Sequence, residues 1–179
     1  LTSIDTGTYT VQKSIKSVLR TYLDTTLAAL STAGVADYLP PDLQVNGANV
    51  YLSDERNPPQ AKSWILGKLT RAEEFLALTA GTSNSRFELQ LTCGVRQFRK
   101  NAATSDPAPF VSDAGWQVSG LLAQACAYTL RRYLAKESGI YNLAFKGSET
   151  VAPDPQTPNV YQVRSKFWIY SRTKDPFLE

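Results

Sequence analysis

The side chains able to carry chemistry are few in this chain of 179 residues, and the most informative is missing: there is no histidine. Histidine is the commonest general base, proton shuttle and metal ligand near neutral pH. Its absence excludes hydrolases of the Ser-His-Asp and Cys-His kinds. The two cysteines, Cys93 and Cys126, cannot complete a tetrahedral zinc site alone. Each falls on the apolar side of a predicted element, so two small buried hydrophobes are expected rather than a disulfide or redox pair. Neither has close spacing or an imidazole to activate it as a nucleophile.

Carboxylates offer little more. Asp54-Glu55 and Glu73-Glu74 are the only adjacent acidic pairs. On a strand such neighbours point to opposite faces, and in a loop they are solvated, so neither pair suits acid–base work. Gly7, Gly34, Gly47, Gly81, Gly139 and Gly147 stand singly, near element ends. No G-x-G-x-x-G or G-x-x-x-x-G-K-[ST] run exists to cradle a nucleotide phosphate. The expectation is a protein with no enzymatic site, no metal and no cofactor.

What remains is basic and aromatic. Residues 1–89 carry 8 Lys/Arg against 9 Asp/Glu, net −1, and residues 90–179 carry 11 against 7, net +4. Arg96, Arg99 and Lys100 end one predicted strand. Arg164, Lys166 and Arg172 share one face of the last strand with Trp168 and Tyr170. Interleaved cations and rings bind single-stranded nucleic acid. They also make protein interfaces, which favour Arg, Trp and Tyr. A net charge of only +3 and the lack of an RNP-type motif favour the interface.

The elements that would hold these groups follow from periodicity. Val11, Ile15, Val18, Leu19, Tyr22, Leu23, Leu27 and Leu30 recur in steps of three and four, predicting a helix over 9–30, capped by Thr8 or Thr10 and ended by Gly34. Residues 49–53 and 64–69 read as short strands around a Pro-bearing acidic loop; 71–78 fits either a strand extension or a helical turn. Gly81 to Ser85 reads as a turn into the clearest strand. There Phe87, Leu89, Leu91, Cys93 and Val95 alternate with Glu88, Gln90, Thr92 and Gly94. A second helix starts at Ser112 and exits at Gly139. Val118, Leu121, Leu122, Ala125, Thr129 and Tyr133 line it, and Arg131, Arg132 and Lys136 sit at its dipole-negative end. In the last strand Tyr161, Val163, Ser165, Phe167 and Ile169 oppose Gln162, Arg164, Lys166, Trp168, Tyr170 and Arg172.

The predicted architecture is therefore α+β in the order α-β-β-β-α-β. One domain over 1–179 carries an antiparallel or mixed four-stranded sheet with both helices on one face. Residues 101–111 and 139–158 are expected as long loops or arms. The core is expected at Leu19, Leu23, Phe87, Leu89, Leu91, Leu121, Leu122, Val163 and Phe167. Hydrophobic residues at 42% and charged residues at 20% suit a globular chain with one core. No apolar run approaches the ~20 residues of a membrane-spanning helix. Methionine is absent, even at position 1, so a longer native N-terminus is expected. Trp168 and Tyr170 place large rings on the face opposite Phe167 and Ile169, and a sheet with rings on both faces expects a second cover, either an ordered loop such as 139–158 or another chain.

The order of elements resembles the tail terminator proteins of long-tailed bacteriophages. The stretches that carry the likeness are TVQKSIKSVLRTYLDTTLAAL, NVYLSDERNPPQAKSWILGKL, RFELQLTCGVRQF, WQVSGLLAQACAYTLRRYLA and VYQVRSKFWIYSRT, covering most of 10–173. The likeness is architectural, and the 139–158 segment departs from the pattern. It implies a structural virion protein, assembled in the host cytoplasm, forming a hexameric ring that caps the tail tube and meets the head-side connector. DNA would then pass through the lumen as cargo, and no membrane would be involved. Interface residues expected on this basis are Trp168, Tyr170, Arg164, Lys166, Arg172, Arg96 and Arg99. The alternatives are another neck or head–tail connector subunit, a small α+β enzyme or ligand-binding domain using carboxylates, and a basic single-strand-binding module.

Overall fold

A computed structural model describes residues 6–32, 50–52, 63–75, 82–96, 112–137, 139–157 and 160–174. Helix α1 spans Thr6–Thr32 and helix α2 spans Ser112–Tyr133, continued by a 3-10 turn over Leu134–Lys136. The strands are β1 (Val50–Tyr51), β2 (Ser63–Phe75), β3 (Thr82–Arg96), β4 (Ile140–Thr150) and β5 (Val160–Lys174). Across the sheet they run β1-β2-β3-β5-β4. The long strands β2, β3, β5 and β4 pair antiparallel, and β1 adds a two-residue parallel bridge to β2 at Ile65 and Leu66.

Both helices follow from their apolar stripes. Val11, Ile15, Val18, Leu19, Leu23 and Leu27 of α1 are buried, as are Val118, Leu122, Ala125, Cys126 and Leu130 of α2. Polar contacts fix their mutual register. The Tyr22 and Tyr133 rings stack at 3.9 Å, and the Thr129 hydroxyl donates to Thr26 Oγ1 at 2.9 Å. Under the helices lie Ile65, Phe87, Leu89, Leu91, Cys93, Val163, Phe167 and Ile169, one face of the sheet. The α+β class and the placing of both helices on one face stand as the periodicity predicts.

Several expectations need correction. Residues 139–158 are not a long loop: 140–150 form β4, which pairs with β5. Two register shifts, between Ile140 and Asn142 and between Phe145 and Gly147, break the period of two that would mark a strand in the sequence. Gly139 and Gly147 hold φ of +85 and +128, so both look like loop residues while serving a strand. The order of elements thus gains a strand after α2. Strand β3 begins at Thr82, so residues 82–85, expected in a turn, belong to the strand, and Ser85 is buried within it; Gly81 lies outside the described residues. The 71–78 alternatives resolve to strand, since β2 continues to Phe75. Helix α1 starts at Thr6, which places Thr8 and Thr10 inside it rather than at its cap. Leu121 is half-buried, because α2 turns Leu122 and Ala125 most directly onto the sheet. Residues 101–111, and Gly34, lie outside the described residues.

Candidate interface on the helix-free sheet face

The alternation that sends Phe87 to Val95 under the helices sends the intervening side chains of β3 to the other face. Register carries that face across the sheet. Trp64, Leu66 and Lys68 of β2 lie level with Gly94, Thr92 and Gln90 of β3. Gly94, Thr92, Gln90, Glu88, Arg86 and Asn84 in turn oppose Gln162, Arg164, Lys166, Trp168, Tyr170 and Arg172 of β5. Beyond them, Glu149, Ala144 and Asn142 of β4 pair with Arg164, Trp168 and Tyr170.

Trp168 is half-buried and does not belong to the hydrophobic core beneath the helices. The Arg86 guanidinium lies 4.0 Å from its ring centroid, and the Lys146 ammonium 5.9 Å away. Both are within the reach of a cation–π contact, so the indole holds two cations at the surface. Tyr170, also half-buried, meets the 54%-exposed Tyr141 at 6.1 Å. Arg172 donates from Nε to Asn84 Oδ1 at 3.0 Å and lies 6.0 Å from the Tyr141 ring. Arg164 and Lys166 converge on Glu149, at 3.5 and 3.8 Å. These are solvent-facing pairs of small energetic worth, and one carboxylate shared by two cations leaves the cluster positive. Arg96 lies on the same face, its guanidinium 5.7 Å from the Trp64 ring.

Five residues expected at the interface, Trp168, Tyr170, Arg164, Lys166 and Arg172, therefore form one surface, with Arg96 at its β2 end. Arg99 lies outside the described residues. Sequence reasoning missed Arg86, Tyr141, Lys146 and Glu149. Arg86 was one alternation step before Glu88 and could have been found there; the other three sit on β4, whose register shifts hide its period. It also missed Trp64, fully buried on this face rather than in the core beneath the helices. The indole lies directly over Gly94, where an added Cβ would fall 2.2 Å from Cε2.

Among the side chains described on this face the charge is lopsided: Lys68, Arg86, Arg96, Lys146, Arg164, Lys166 and Arg172 stand against Glu88 and Glu149. Chemically it can pair with carboxylates or phosphates and bury rings. Among the described residues, no three His, Cys, Asp or Glu side chains come together as a metal cluster. Nor is any helix of the described residues long and apolar enough to cross a membrane. On the other face Cys93 and Cys126 are both buried and free, with their sulfurs 3.9 Å apart. Compared with known protein families and with curated proteins, the chain matches none.

Proposed function

We propose that this chain is a structural, non-enzymatic subunit that associates with copies of itself into a ring, as the tail terminator proteins it resembles do, and that the helix-free sheet face makes contacts between chains. The observation that carries the reading is Trp168: a large ring, half-buried, flanked by two cations on a face that neither helix covers. Interface hot spots favour Trp, Tyr and Arg in pockets that dehydrate on association. The basic groups around it would fix the orientation of an acidic neighbour and speed its approach more than they add affinity. On this reading the ring is hexameric, caps a phage tail tube and abuts the head-side connector, with DNA as cargo in its lumen.

Single-strand binding is the less favoured reading of the same face. Stacking on a base needs an open ring face. The Arg86 guanidinium already lies against Trp168, which better suits anchoring a cation toward a carboxylate. Electron microscopy of the purified chain tests the proposal. Closed rings with sixfold averages are expected; single subunits at every concentration, together with affinity for single-stranded DNA that falls steeply with salt, would replace it with the binding-module reading.

A further inference from the structure

The two cysteines of the chain, far apart in sequence, meet in the core. Cys93 sits mid-strand in β3, level with Ile65 and Val163, and Cys126 sits on the sheet-facing side of α2. Their sulfurs are 3.9 Å apart, both side chains are fully buried, and neither is bonded. A disulfide requires the sulfurs to close from 3.9 Å to about 2.05 Å, a shift of roughly 2 Å between two side chains already in contact.

We propose that Cys93 and Cys126 are a latent cross-link: a site of oxidation that, on meeting a peroxide, joins α2 covalently to β3 in the folded protein. One thiolate sulfur attacks a peroxide oxygen; the O–O bond breaks, the cysteine becomes a sulfenic acid, and hydroxide departs to become water. The second sulfur then attacks the first, the S–O bond breaks, and hydroxide leaves with the second thiol's proton as another water. Both thiols are oxidised and one peroxide is reduced to water. The S–H contact with Cys93, reinforced by burial, holds the Cys126 thiol well above its ordinary pKa. Thiolate at Cys126 is therefore scarce at neutral pH, so attack from that sulfur is slow there and faster in alkali. A chain moving from a reducing compartment to an oxidising one would acquire the link after folding, and the link would close the 33-residue separation between the two cysteines.

The test is to expose the folded full chain to hydrogen peroxide and digest it without reduction. The expected result is a linked Cys93–Cys126 peptide, loss of both titratable thiols, and a higher denaturant midpoint that a thiol reductant reverses. Cys93→Ser and Cys126→Ser should each lack the link and the midpoint rise. Because a variant can fail for reasons of folding, the decisive comparison uses the natural chain, treated when folded and when unfolded in denaturant. A link that forms faster in the folded state supports the inference. Thiols that stay free, that oxidise singly to sulfinic acid, or that link only after unfolding would overturn it.

Discussion

Single side chains set how tightly each face of the sheet packs. Trp64 packs directly against Gly94, so the glycine is required by close approach rather than by backbone conformation. Gly94→Ala should overpack the site and cost roughly 1–3 kcal/mol, read as a lower urea midpoint at unchanged slope. On the helix side, Leu91→Ala removes a fully buried side chain and should cost roughly 2–5 kcal/mol by the same measurement. Cys126 adds a pH dependence. Its thiol holds its proton more tightly in the folded chain than in the unfolded one, so the unfolded chain binds fewer protons once pH passes the ordinary thiol value of about 8.5. That contribution to stability is fully present below this pH and is lost as pH rises from there toward the folded-state pKa. Under reducing conditions, Cys126→Ala should flatten the alkaline fall in unfolding free energy; an identical alkaline slope would contradict the assignment.

At the scale of elements, what was legible in the sequence is what repeats with an unbroken period. The stripe from Val11 to Leu27 gave α1, and the alternations of Phe87 to Val95 and Tyr161 to Ile169 gave β3 and β5 with the correct side chains beneath the helices. Strand β4 was not legible, for a physical reason. Its two register shifts place Tyr141 and Lys146 as extra residues, and its one glycine, Gly147, sits at positive φ, so YNLAFKGSET has the composition of a strand without its period. The same strand hid part of the candidate interface, because Tyr141, Lys146 and Glu149 reach the cluster only through β4–β5 pairing. Gly139 marks where β4 is launched: its carbonyl accepts from Arg172 N–H at 2.6 Å, and a Cβ there would lie 2.9 Å from the Arg172 carbonyl oxygen. Gly139→Ala, strained by its positive φ, should cost about 1–2 kcal/mol. Hydrogen exchange should accelerate first in β4 and in the 171–174 end of β5, leaving β2 and β3 protected.

For the whole molecule, the consequence of this architecture is an asymmetry between the two faces of one sheet. The helices bury the middle of the apolar face, leaving Phe145 of β4 43% exposed at its edge, and the other face carries rings and an excess of cations with Trp168 only half-buried. If chains meet there, truncating Trp168 should separate assembly from folding: Trp168→Ala should weaken association by about 2 kcal/mol or more while leaving the melting temperature of the dissociated subunit nearly unchanged. Raising salt should slow association through the basic groups without reversing it. The most direct measurement is the molar mass of the purified chain by light scattering over a concentration series, beside Trp168→Ala under the same conditions. The natural chain is expected at a multiple of its 19.7 kDa, six for the proposed ring, and the variant at the mass of single subunits with its unfolding transition intact. A natural chain of single-subunit mass at every concentration, or a variant that assembles equally well but melts at lower temperature, would contradict the account.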